Sequence, residues 1–387
     1  MSARQSFYAE SLAEASTTST TPQVKATLTF TPDADATYWL IASGGFVCTA
    51  AAGRATIAVH HVEEALDLLL QGGQVKESSS PLDWIPYFGI ARLTFGAAPS
   101  EQTIEIRYAS ESDGDTTKIR DARVLVIKAD AADRFAAFDD EWQTTSTSWQ
   151  DKTTLTFTPV SAGDYLVIGN AAMAMDANNT AMRGRLNHIT ASVTYGDRVW
   201  YARDAWWFQP FAVMEKLTLA AEPQTFKLQF RSNSGTLCYY RDARILALRL
   251  SAFQGHAFAS NQSVQTTTSA SDTDVLTLTH TPAAVAHAII AIGSVNTAST
   301  TVSGYLNFAK DGANQTEFVR EGVNAAAYLH AGVVQRQTLV PGSTSWTWRA
   351  RAETAGITVN VANLAIAVLQ LEATPASARR RYMAVAA

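Results

Sequence analysis

The chain has 387 residues, a formal net charge of −5 and only 17% charged residues. That length exceeds one ordinary domain, and that charge leaves no basic field to track a phosphate backbone, so nucleic-acid binding is not expected. Cys48 and Cys238 are the only cysteines, too few for a disulfide framework or a cysteine zinc site.

The first residues, Met1-Ser2-Ala3-Arg4-Gln5, lead into no apolar run with a cleavage site, so no signal peptide is expected. No stretch is long and apolar enough to span a bilayer, so no membrane insertion is expected. Residues 1–22 are polar and threonine-rich and read as an arm that either stays disordered or orders against a neighbour.

Three copies of one unit follow. Thr27-Leu28-Thr29-Phe30-Thr31-Pro32 recurs letter for letter as Thr154-Leu155-Thr156-Phe157-Thr158-Pro159, and more loosely as Thr277-Leu278-Thr279-His280-Thr281-Pro282. Leu28 and Phe30 share one face and the threonines the other, which is the period of a half-buried strand. The proline then ends the ladder, having no N–H to give. An apolar strand comes next in each copy: Tyr38 to Ala42, Tyr165 to Gly169, Ala288 to Ile292.

His61 to Leu70, with Glu63, Glu64 and Asp67 among leucines, is the best candidate for a helical insertion. Its counterpart, Ile189 to Trp200, reads as strand. Beyond it, Trp84, Tyr87 and Phe88 in the first copy match Trp206, Trp207, Phe208 and Phe211 in the second, with Tyr328 in the third. Trp84, Tyr87, Trp206 and Trp207 suit a glycan platform or a protein interface, and they suit a core equally; recurrence favours packing.

Each copy closes on two strands joined by a short turn, read as a hairpin. Ile104 and Ile106 alternate with Glu105 and Arg107; Phe226, Leu228 and Phe230 alternate with Lys227, Gln229 and Arg231; Trp346 and Trp348 alternate with Thr347 and Arg349. The last strand opens on Arg120-Asp121-Ala122-Arg123 and Arg241-Asp242-Ala243-Arg244. The third copy ends Val359 to Ala367 without that quartet. The quartet offers either acids (Asp121, Asp242) beside paired arginines, or a structural turn in which each Asp meets a nearby Arg. The paucity of polar residues around it favours the second.

The expected architecture is all-β, with three antiparallel β-sandwich, jelly-roll-like domains arranged as separate beads. The boundaries are an arm at 1–22, sandwiches at 23–138, 139–258 and 259–372, and a basic tail at 373–387 with Arg379, Arg380 and Arg381. Both terminal segments are expected to touch neighbouring subunits rather than any domain core. The threonine-rich joins before the second and third copies can pair as first strands.

No catalytic constellation emerges. The seven histidines form no ligand spacing, and no phosphate loop, dinucleotide fingerprint or nucleophile elbow occurs. Asp113-Gly114-Asp115 lacks the remaining ligands of a calcium loop, and Asp176 to Asn179 reads as a turn. Glu63, Glu64 and Asp67, in copy one only, are candidates for the carboxylate pair that a glycan hydrolase needs. No enzyme activity, metal or cofactor is expected.

The Thr-Leu-Thr-Phe-Thr-Pro opening, the Tyr-Leu-Val-Ile strand, the Trp-x-x-Phe middle and the Arg-Asp-Ala-Arg close are similar to those of tandem β-sandwich proteins of tailed bacteriophage virions, over nearly all of residues 20–371. The resemblance implies a non-enzymatic head-decoration, fibre, tail or baseplate part. It implies other virion proteins as partners, a homo-oligomer, and assembly in the host cytoplasm. A carbohydrate-binding attachment protein contacting a host surface glycan is the alternative.

Overall fold

A computed structural model gives the structure, which describes residues 4–49, 54–75, 84–111, 114–177, 180–201, 208–299, 301–321 and 328–372. Copy one runs β1 (Ser6–Ser11), β2 (Ala15–Thr17), β3 (Gln23–Phe30), β4 (Thr37–Cys48), β5 (Arg54–His61), β6 (Leu66–Val75), β7 (Ile85–Thr94), β8 (Gln102–Ser110) and β9 (Thr117–Lys128). Copy two runs β10 (Arg134–Phe138), β11 (Trp142–Thr144), β12 (Gln150–Phe157), β13 (Gly163–Met175), β14 (Ala181–His188), β15 (Val193–Tyr201), β16 (Gln209–Leu219), β17 (Gln224–Ser232) and β18 (Cys238–Arg249). Copy three runs β19 (His256–Asn261), β20 (Gln265–Thr267), β21 (Thr273–His280), β22 (Ala286–Thr297), β23 (Ser303–Lys310), β24 (Ala313–Glu321), β25 (Leu329–Thr338), β26 (Thr344–Ala352) and β27 (Val359–Gln370).

The pairing is the same three times. One sheet has the order β1-β9-β4-β7 with β2 beside β9, and the other β3-β8-β5-β6. Apart from β1–β2 and β5–β6, successive strands change sheets, which is the double Greek key of a jelly roll. The chain is therefore all-β, with three tandem antiparallel jelly-roll-like units. The alternating motif strands lie where their pattern directs: Leu28, Phe30, Ile104 and Ile106 are buried inside, and Thr27 and Thr29 are exposed.

Four expectations need correction. The closing pair is not a hairpin: β8 pairs with β3 and β5, while β9 pairs with β1 and β4. His61 to Leu70 is not helical; it is the end of β5, a turn and the start of β6, because Leu69 must reach the sandwich interior. The segment 1–22 is not a free arm. β1 pairs with β9 from Ser6↔Ile127 to Ser11↔Ala122, and the Phe7 ring lies tilted 4.7 Å from that of Phe30. Strands β10 and β19 begin copies two and three in the same way, so the first strand of each unit precedes its repeated motif.

The units are also not beads. Each two-sheet interior is one apolar cluster. A fourth cluster joins all three copies: Trp39, Ile41, Phe88, Leu125 and Ile127; Leu166, Ile168, Met214, Leu246 and Leu248; Ile290, Ile292, Val334, Ala367 and Leu369. These are the outward sides of β4, β7 and β9 and of their counterparts. The strands of this sheet are apolar on both faces because both faces are covered. The three sheets thus pack back to back around a pseudo-threefold axis. At one end of that axis Asp133 ties the copies together. It takes two hydrogen bonds from Arg4 (2.7 and 3.0 Å), one from Trp39 Nε1 (2.8 Å) and one from the Arg249 backbone N–H (2.9 Å). Arg4 N–H also donates to the Leu371 carbonyl at 3.0 Å.

Candidate functional site

The repeated quartet lies where each unit meets its neighbour. Between Arg120 and Arg123 the β4–β9 register slips by a bulge, and the same slip lies between Arg241 and Arg244. The bulge needs a left-handed residue, supplied by Asp121 (φ 54°), Asp242 (φ 51°) and Asn363 (φ 52°). Asp and Asn are among the few side chains that tolerate this region. The third quartet is therefore Ala362-Asn363-Leu364-Ala365, two residues further on than the alignment from Val359 implies. A two-residue slip keeps every side chain on its face, so alternation could not reveal it.

The bulge aims the second arginine across a seam. Arg123 donates to Thr316 Oγ1 at 2.9 Å, and Arg120 to the Glu317 carbonyl at 2.7 Å, both on β24 of the third copy. Arg244 donates to the carbonyls of Ile90 and Leu68 in the first copy, each at 2.7 Å, and to Asp139 at 2.7 Å. Asp121 and Asp242 sit 3.5 and 3.2 Å from these arginines. Burial pushes the Asp121 carboxyl up and the Arg120 guanidinium down from their ordinary values, while their neighbours' opposite charges pull both back.

Copy three has alanine at both arginine positions, so the remaining seam is built from other groups. Glu215 of copy two accepts from Ser260 Oγ at 2.8 Å and Gln262 Nε2 at 3.0 Å. Arg198 donates to the Gln262 carbonyl, and Tyr328 N–H to the Val199 carbonyl at 3.2 Å. His330 is buried against the Ala212 carbonyl at 3.2 Å, and burial lowers its pKa to about 4.

Of the aromatic positions, Trp84 belongs to the same seams. Trp84, 5% exposed, packs with Val47 and with Val319 and Tyr305 of copy three, the Arg120 guanidinium lying 4.1 Å over its ring. Strand register makes Phe208 its counterpart, with Arg241 at 3.8 Å. Tyr87, 3% exposed, lies in the first interior, and burial raises its hydroxyl well above the usual range. Neither offers a ring to a surface glycan. Trp206 and Trp207 lie outside the described residues, as do Asp113, Asn178, Asn179 and the tail 373–387.

At the axis the equivalent positions Phe88, Ala212 and Gly332 differ in size. A Cβ on Gly332 would collide with the Phe88 ring. One phenylalanine fills space that three could not share. Sequence alignment paired Phe88 with Phe208 or Phe211 instead, so this size gradation was visible only through the register.

Among the described residues no group of three or more His, Cys, Asp or Glu could hold a metal ion. No helix there is long and apolar enough to cross a membrane. Glu63 donates no acid to a cleft; its carboxylate accepts the Thr103 N–H at 2.8 Å. Asp67 accepts from His60 at 2.7 Å.

No protein-family model matches the sequence, and no curated protein matches it significantly. Solved structures with similar features include the triple jelly-roll protein of an archaeal virus turret (9% identity, 89% of this chain and 83% of that one, TM-score 0.21). Others are the VP2 subviral particle of infectious bursal disease virus (8%, 95% and 80%, TM-score 0.20) and a tandem CBM22 domain pair from Paenibacillus barcinonensis (11%, 61% and 90%, TM-score 0.20).

Proposed function

We propose that this chain is a non-enzymatic structural part of a virus particle, a preassembled three-lobed block within a tailed-bacteriophage virion as decoration, fibre or tail component. The observation that carries this reading is the shared axial core, which turns three jelly rolls into one body whose seams consume the polar motifs a catalytic site would otherwise use. Exposed apolar groups support assembly. In the described residues, six of the nine large ones lie at one end of the sandwiches: Val62, Val160, Ile189 and Val340 in turns and connections, and Leu66 and Val193 as the first residues of β6 and β15. Val160 and Val340 are 82% and 72% exposed there, which suits docking of that end onto other virion proteins or further copies. Synthesis in the host cytoplasm and incorporation there complete the proposal.

The test is mass spectrometry and antibody labelling of purified particles from the source cells. The chain is expected in tens of copies or more per particle, at symmetry-related places. Its recovery only as free protein in the lysate would overturn the reading. Glycan attachment through Trp84 or Tyr87 is not favoured, since both are buried.

A further inference from the structure

The outer face of the second sheet carries one spot that the three copies treat differently. Strand register aligns Pro22, Ala58 and Ala109 with Trp149, Arg185 and Arg231, and with Asp272, Asn307 and Arg351. In copy two the spot is filled from within: Trp149 is clasped between Arg185 at 4.0 Å and Arg231 at 5.0 Å. In copy three Asp272 accepts from Asn307 at 2.7 Å and lies 3.6 Å from Arg351. In copy one all three positions are small, and a cavity of about 130 Å³ remains, floored by Ala58, Ala109 and Pro22 and walled by His60, Asp67 and Arg107. Asp67, Glu105 and Glu111 stand on or beside this rim, the Asp67 carboxylate 43% exposed.

What is missing, compared with copy two, is a planar ring flanked by guanidinium groups. The chain has one stretch outside the described residues that supplies this pair next to each other: Arg379-Arg380-Arg381-Tyr382. The charges are complementary. The chain has 30 Lys and Arg against 35 Asp and Glu, and three of those arginines fall in the last fifteen residues, which hold no acid. Those fifteen residues can reach roughly 50 Å when extended.

We propose that the copy-one cavity receives the C-terminal segment of a second copy of the chain, the Tyr382 ring over Ala58 and Ala109 and the arginines on the rim carboxylates. The contact joins only copies of this chain, so it stands or falls separately from membership of a particle.

The experiment is sedimentation velocity of the full chain over a concentration series, with three variants: Ala58→Arg with Ala109→Arg, which installs the side chains copy two carries there; Tyr382→Ala; and all three changes together. The first and second are each expected to weaken self-association by ~tenfold or more, and the combination no further, since they remove one shared contact. A synthetic peptide of residues 373–387 should inhibit association of the unaltered chain. Thermal melting identifies any variant that misfolds, and Tyr382→Ala leaves the cavity residues unaltered, so it decides the question if the cavity variant fails to fold. Association unchanged by either variant, effects that multiply in the combination, or a chain that stays monomeric at every concentration would each overturn the proposal. So would loss of glycan-array binding in the cavity variant with association intact, which would assign the cavity to a sugar.

Discussion

Arg244 reaches from the bulge of β18 to two main-chain carbonyls of another unit, and it is only 5% exposed. Its truncation leaves those carbonyls dry and unpaired, which costs more than the bond itself contributes. Arg244→Ala is therefore expected to destabilise the chain by about 2–5 kcal/mol, read by denaturant unfolding. A loss under about 1 kcal/mol would show that water replaces the guanidinium at the seam. The sequence announced this residue by repetition, since two Arg-Asp-Ala-Arg quartets in strand-closing positions require a common reason. It could not announce the partner. Leu68 and Ile90 contribute only carbonyl oxygens, which every residue possesses, so no side-chain pattern marks them. The copy-one cavity was hidden for a related reason: Pro22, Ala58 and Ala109 become informative only when register places them opposite Trp149, Arg185 and Arg231.

Among the elements, the strands of the outer sheets were legible because one face meets water, and Thr27-Leu28-Thr29-Phe30 alternates accordingly. The inner-sheet strands were legible only as apolar runs. From Tyr38 to Cys48 every residue is buried, so alternation is lost and the second packing surface goes unnoticed. β1 was missed because its strand is broken before the motif strand and its residues differ between copies. Only an aromatic followed by alanine recurs, Tyr8-Ala9, Phe135-Ala136 and Phe258-Ala259, and the three aromatics pack against the axial cluster. The element nevertheless contributes Phe7 to the first interior, and Arg4 just before it clasps Asp133. Deleting residues 1–12 is expected to cost at least ~3 kcal/mol, by the usual effect of removing buried aromatic groups. Calorimetry that finds the truncated chain melting like the intact one would show that the edge of β9 is stable uncovered.

At the scale of the whole molecule, the axis buries groups that would titrate in water. His330 falls from its ordinary 6.5 to about 4 because burial disfavours its charged form, with the Ala212 carbonyl opposing and Arg198 assisting. The unfolded chain therefore takes up this proton first as pH falls. Stability from His330 is complete above about pH 6.5, declines between 6.5 and 4, and changes no further below, by roughly 3 kcal/mol at most. His256, His280 and His287 are lowered by burial and act in the same direction. Glu215 is raised by burial and partly offsets them. His330→Gln should flatten the dependence of melting temperature on pH across that window; an unaltered slope would assign it to the other histidines. The same axis has a consequence for how the three units can change. A ring of three identical chains repeats any axial side chain three times, so a substitution there is suffered or enjoyed in triplicate. Joining the units end to end removes that obligation. Phe88, Ala212 and Gly332 are a set that no homotrimer can encode, and each new substitution at such a place is felt once. The centre of this molecule can therefore be edited in steps a third as large, and its three flanks can diverge into unlike surfaces while the lobes stay locked together.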